Sequence, residues 1–231
     1  MMSPRKPSQK TESKKRHTKQ VLIDVGLELM SYNGFHKASL EEILTTAKVP
    51  KGSFYYYFKS KEAFGTEVLE QYWERKIAWA TSFLERQDVS PLNRLRLICW
   101  DVMQQMKESK FEMVCMASRM SQELNATNEG FQACLQKGHY TRQKMLEIFF
   151  EKAKAAGEVP QDLSITYLVE AYQTYLDGAM FESKLTQSLR PFQTMHWLFF
   201  ECLCKPQHKL SPEIETSFQL DTKNSRFLSS S

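Results

Sequence analysis

Glycine and proline are scarce in this chain, eight of each among 231 residues. The long stretches that lack both are rich in Leu, Met, Phe, Glu, Lys and Gln, which give up little on entering a helix, so the expected fold class is all-α. Long apolar runs are missing too. None approaches the roughly 18 to 20 residues of a membrane span, and the basic, polar N-terminus has no apolar segment behind it, so no membrane partner is expected and the expected location is cytoplasmic. The cysteines number five, Cys99, Cys115, Cys134, Cys202 and Cys204, an odd count in a chain without a secretion signal, which favours free thiols over a disulfide framework. By the same argument the Asn125-Ala126-Thr127 sequon carries no weight. Signatures of catalysis are also lacking: there is no HExxH, GxSxG, CxxC or phosphate-binding glycine loop, and the histidines are scattered without evident acid–base partners. No enzyme activity and no cofactor are expected, and a small all-α thiol-dependent enzyme is the alternative from another functional class.

What is present is enough apolar material for a core, 42% of residues, and an uneven distribution of charge. The net charge is +4, but residues 1–61 carry 12 Lys and Arg against 5 Asp and Glu, while the remainder carries 19 against 22. A basic first module on a slightly acidic body suggests that the first part meets a polyanion while the second does something else.

Residues 1–16 contain no patterned apolar positions and read as a disordered basic arm. From Thr18, Val21, Leu22, Val25, Leu29 and Met30 recur at helical spacing up to a stop at Asn33-Gly34. Ser39 followed by Glu42 is a capping box that opens a second helix, which must end before Pro50. A third helix follows in "PKGSFYYYFKSK", and Ser60 caps a fourth. Further helices are expected over 91–108, 111–124, 128–156, 162–186 and 191–204, about nine in all, with a flexible polar tail over 205–231. The expected division is thus a helix-turn-helix domain over 17–62 and a second domain over 63–204.

A helical wheel divides the aromatic cluster. Phe54 and Phe58 share one face and can pack on the preceding helices, whereas Tyr56 points away with Gly52 and Ser53, and Tyr55 and Tyr57 flank the buried edge. Small residues let such a helix approach a major groove, and Lys51, Tyr56 and Tyr57 can reach base edges or phosphates. Lys59 and Lys61 lie where backbone charge is expected.

The stretch "ASLEEILTTAKVPKGSFYYYFKSKEAF" resembles the DNA-binding signature of the TetR/AcrR family of bacterial transcription regulators, over about His17 to Phe64. That resemblance implies a homodimer with an N-terminal three-helix DNA-binding domain and a second domain that binds a small ligand and dimerises through its last two long helices. The partners implied are a palindromic double-stranded operator, a second copy of the chain and an effector. The family's DNA contacts carry over to Ser39, Lys51, Gly52, Ser53, Tyr55, Tyr56, Tyr57 and Lys61. Tyr55 takes the place of a recurrent tyrosine that reaches a phosphate. The function implied is a repressor released by a small hydrophobic ligand or by a reactive electrophile or oxidant.

The body, "VCMASRMSQELNATNEGFQACL" and "LDGAMFESKLTQS", is similar to an electrophile- and oxidant-sensing, NemR-like subgroup. The similarity matches Cys115 to the sensing cysteine and Lys184 to a lysine near it. Arg119, four residues on, and Lys110, five before, can favour a thiolate. The plainer reading makes Cys115 a core residue among Met113, Val114 and Met116. Cys99 and Cys134 read as inert core thiols. Cys202, Cys204, His208 and His196 do not have the spacing of a familiar zinc finger, so no metal is expected. Trp73, Trp79, Trp100, Met103, Met106, Met116 and Met120 are candidates for an apolar pocket or for simple packing.

Overall fold

The computed structural model describes residues 9–113, 115–123, 129–204 and 210–219. These residues form ten α-helices and one π-helical turn, with no strand among the described residues. In chain order they are α1 (Gln9–Lys37), α2 (Leu40–Ala47), α3 (Lys51–Tyr57), α4 (Lys61–Leu84), α5 (Pro91–Glu108) and α6 (Met116–Glu123). There follow α7 (Glu129–Ala155), α8 (Ile165–Thr186), α9 (Arg190–His196) running into the π turn Trp197–Leu203, and α10 (Pro212–Ser217). The all-α class read from composition is the observed one.

Local signals account for most boundaries. Gly34 leaves helical geometry at φ 81°, where Asn33-Gly34 predicted a stop. That left-handed φ disfavours any side chain there, and a Cβ would lie 1.9 Å from a Glu123 carboxylate oxygen, so the end of the Glu123 side chain would have to move. Ser39 Oγ accepts the Glu42 N–H at 3.0 Å and starts α2, and Ser60 Oγ accepts the Ala63 N–H at 3.1 Å and starts α4. α6 starts later than the expected 111 because Lys110 and Phe111 take positive φ, 51° and 63°, with the Phe111 N–H closing on the Met106 carbonyl at 2.8 Å. That closure terminates α5 in place of opening the next helix.

α1 starts earlier than the apolar pattern suggested. Residues 1–8 of the expected arm lie outside the described residues, but Gln9–Arg16 is helical, which corrects the disordered reading for that part. Lys, Glu, Gln and Arg are good helix formers, so a helix anchored downstream at Leu22 propagates back through them.

The chain packs as two compact units, Met1–Arg75 with Met116–Gly138, and Lys76–Cys115 with His139–Ser231. The unit that holds α2 and α3 thus takes in residues from beyond 63, where the sequence reading began its second domain. Its core includes Leu22, Met30, Phe54, Phe58, Phe64 and Phe131, all within 2% of full burial. The second unit packs α5, α8, α9 and the π turn around Leu95, Met103, Phe150, Tyr172, Phe192 and Phe199. The buried Glu158 carboxylate accepts the Leu92 N–H at 2.8 Å, satisfying one of the open donors at the start of α5.

Part of the expected flexible tail is docked. Residues 205–209 and 220–231 lie outside the described residues, but Leu210–Gln219 folds onto the second unit. Buried Arg96 donates from Nη2 to Glu215 at 2.9 Å, from Nη1 to Asn93 at 3.0 Å and from Nε to His196 Nε2 at 3.1 Å. The His196 ring stacks on buried Phe218 with centroids 3.7 Å apart. A buried guanidinium needs partners for its donors, and the polar tail supplies one.

Burial, with the Arg96 charge adding to it and Glu215 opposing, lowers the His196 pKa to about 3. Between the ordinary histidine value, about 6.5, and about 3, the unfolded chain therefore binds a proton that the folded chain refuses. The stabilisation is complete above about 6.5 and is lost as pH falls toward 3. Thermal melts from pH 7 to 4.5 should show wild type losing more stability, on the order of a few kcal/mol, than His196→Gln. Equal losses would remove His196 as the cause.

Candidate functional site

The helix-turn-helix is set by its turn. Lys48 closes α2 in the left-handed region at φ 54°, with the Val49 N–H on the Leu44 carbonyl at 3.0 Å. Pro50 then caps α3, and its carbonyl accepts the N–H of Ser53 at 2.9 Å and of Phe54 at 3.3 Å. A helix of seven residues cannot persist alone, so α3 depends on what its inner face packs against. That face is Phe54, with Phe58 at its cap. Their rings lie 5.2 Å apart, and Phe64 of α4 meets them at 5.3 and 4.8 Å with steeply inclined planes.

The outward residues fall as the wheel placed them. Lys51 and Gly52 are exposed, Ser53 and Tyr57 half-buried, and Tyr55 and Tyr56 are 52% and 62% exposed. The Tyr56 and Tyr57 rings meet edge to face at 5.0 Å. At Gly52 nothing lies within 4 Å of where a Cβ would stand, so no packing within the chain calls for glycine there. Ser39 is exposed and engaged in its cap.

Lys61 sits differently. Its ammonium donates to the Phe35 carbonyl at 2.7 Å and reaches the His36 carbonyl at 3.4 Å, and it lies 4.6 Å from the Phe35 ring centroid. Burial lowers its pKa, with Glu62 and Glu123 opposing. Sequence spacing placed Lys61 at a phosphate; in the structure it serves the open carbonyls at the end of α1. Lys15 and Lys19 were missed. Lys15 donates to the Tyr56 hydroxyl at 2.7 Å, and Lys19 pairs with Glu67 at 2.5 Å over the Phe58 ring. Their signal was hidden in a stretch without apolar pattern.

Of the candidate sensing residues, Cys115 is half-buried, in no disulfide, and immediately before α6. Arg119 does not turn toward it: the guanidinium donates to the Ser31 carbonyl at 3.2 Å and to the Tyr32 carbonyl. Glu123, at the other end of α6, accepts the His36 backbone N–H at 3.0 Å, and its own carbonyl meets the His36 ring at 2.9 Å. α6 thus holds the end of α1 through Arg119 and Glu123. Lys184 pairs with Glu112, three residues before Cys115, at 2.6 Å.

A cation near Cys115 comes instead from α4. Lys76 is half-buried with its ammonium 4.9 Å from the Trp79 centroid, and burial lowers its pKa while Cys115 and Asp101 act against that. Asp101 accepts the Trp79 indole N–H at 3.2 Å and an amide N–H of Gln105 at 2.5 Å. Cys99 and Cys134 are buried, and burial pushes their thiols up to about 12 and about 11. Met103 and Met106 are buried in the second unit and Met116 and Met120 in the first, so the proposed apolar set is divided between two cores. Among the described residues no group of His, Cys, Asp or Glu is placed to hold a metal, His208 lying outside them, and no helix is long and apolar enough to cross a membrane.

The profile of the bacterial regulatory proteins of the tetR family matches residues 22–68, and that of the tetracyclin repressor-like C-terminal domain matches residues 91–197. The transcriptional regulator AcuR of Cereibacter sphaeroides is 35% identical over 175 residues, 74% of this chain and 78% of its own. The transcriptional repressor NemR of Escherichia coli is 27% identical over 182 residues, 76% of this chain and 88% of its own. Among solved structures, a regulatory protein TetR from Rhodobacter sphaeroides superposes with a TM-score of 0.72 at 32% identity, covering 78% of this chain and 95% of that one. The reduced form of E. coli NemR gives 0.71 at 24% identity, with 83% and 100% covered, which speaks for the fold alone. With a capped helix-turn-helix whose third helix is pinned by two phenylalanines, and with these relatives named as transcriptional regulators and repressors, this chain belongs to the TetR family of bacterial regulatory proteins.

Proposed function

We propose that the protein is a cytoplasmic, homodimeric repressor that lays α3 of each protomer in successive major grooves of a palindromic operator. The observation that carries this reading is the division of α3: Phe54 and Phe58 are inside, while Lys51, Gly52, Ser53, Tyr55, Tyr56 and Tyr57 face outward or lie at the margin. The open space at Gly52 supports close approach of the helix to a groove, and a two-fold protein implies half-sites about 34–36 Å apart. Ser39 and Lys51 are the further contacts proposed. A gel shift on a duplex from upstream of the protein's own gene tests this. Binding should be sequence-selective and salt-sensitive, and Tyr56→Ala should lower affinity about ten-fold without changing the thermal melt. Binding that ignores sequence would sink the proposal.

Dimerisation is proposed through α8 and α9. Tyr167, Thr174, Gly178, Phe181 and Leu185 recur along one stripe of α8 opposite its buried face, and Tyr167, Phe181 and Leu185 are 63–73% exposed. A cavity of about 740 Å³ lies beside this stripe, sharing Thr174 and Gly178 with it and lined also by Tyr175, Glu182, Arg190 and Thr194. Exposed large apolar side chains in one stripe suit a self-complementary helix seam. In sedimentation, wild type should run as a dimer and Phe181→Glu with Leu185→Glu as a folded monomer. A dimeric double variant would place the seam elsewhere.

For release, Cys115 is proposed as an electrophile sensor. Its thiolate adds to a carbon of a quinone or maleimide, forming a C–S bond while the adjacent carbanion takes up a proton. An adduct one residue before α6 would disturb the hold of Arg119 and Glu123 on the end of α1. DNA release by N-ethylmaleimide should vanish in Cys115→Ser. Unchanged release in Cys115→Ser would assign the modification to another thiol, such as the exposed Cys202.

A further inference from the structure

The first turns of α1 approach the outward face of α3 at one place. Lys15 Nζ donates to the Tyr56 hydroxyl at 2.7 Å and lies 4.7 Å from the centroid of the same ring. One turn further on, Lys19 lies 5.4 Å from the Phe58 centroid and pairs with Glu67. Two lysines four residues apart on one helix therefore line up along α3, one against an exposed aromatic and one against a buried aromatic.

The two contacts have different consequences. Lys19 packs on a ring that is already fixed in the core. Lys15 packs on the most exposed aromatic of α3, where contact between two surface side chains gains little stability but selects one orientation for both. With the ammonium donating to the phenolic oxygen, the Tyr56 O–H is the donor left to point away from α1. The same contact brings a positive charge to the outward side of a helix whose own cation, Lys51, stands at the opposite end. A charge and a directed hydroxyl side by side suit a phosphodiester, which accepts from both.

We infer that Lys15 extends the DNA interface beyond the helix-turn-helix: it orients Tyr56 and, with it, binds one backbone phosphate of duplex DNA per protomer. The inference rests on the DNA-binding reading above. It also gives the helical Gln9–Arg16 stretch a role, since helix carries Lys15 alongside α3.

The test uses a fluorescein-labelled duplex recovered from a random-sequence pool by the wild-type protein, with anisotropy titrations at several salt concentrations. Lys15→Met should weaken binding about ten-fold at low salt and flatten the dependence of log K on log salt by about one unit per protomer. Lys15→Arg should keep both, and all variants should melt as wild type does. Tyr56→Phe, which removes only the hydroxyl, should make the Lys15→Met loss smaller, because the two groups hold one phosphate. An unchanged affinity and salt slope in Lys15→Met overturns the inference while wild-type binding leaves the DNA reading standing. A loss of affinity with an unchanged slope overturns the phosphate contact. Absence of selective binding by wild type removes both.

Discussion

The packing of Phe54 and Phe58 against Phe64 is the interaction on which the rest of the candidate DNA site depends. α3 has too few residues to be helical by propensity, and it carries glycine and three tyrosines that gain nothing from exposure. Two rings on its inner side, in inclined contact with a third from α4, convert it from a turn of chain into a fixed element. Once that side is anchored, the direction of every other side chain on α3 follows from helical geometry. The exposed tyrosines are thus a product of the core.

The end of α1 is the second organising point. A helix C-terminus leaves carbonyls without intrahelical partners, and here cations from two other helices serve them: Arg119 at Ser31 and Tyr32, and Lys61 at Phe35 and His36. Glu123 completes the arrangement from the acceptor side at His36 and occupies the space that a side chain on Gly34 would need. One short helix, α6, consequently has its charged residues committed to the frame of the DNA-binding elements. That commitment makes Arg119 a positioning residue for the end of α1.

The thiols sort by environment. Cys99, Cys134 and Cys204 are buried in surroundings that raise their pKa and keep them protonated, whereas Cys115 is half-buried and Cys202 exposed. Chemistry follows the environment rather than the number of cysteines.

Sequence alone determined the all-α class, the caps at Ser39 and Ser60, the break at Gly34 and the division of α3 into buried phenylalanines and outward tyrosines. Each depends on interactions within a few residues, where backbone geometry is enough to say what meets what. Tertiary structure decided the partners of the long side chains. Lys61 turned to carbonyls of α1, Arg119 to the same helix and Lys15 to Tyr56, over separations of 25 to 88 residues. It also docked Glu215 and Phe218, in a segment that reads as polar tail, because Arg96 is buried and a buried guanidinium must find acceptors wherever the chain can deliver them. A flexible charged side chain has many reachable partners along a sequence, and only the packed fold selects among them.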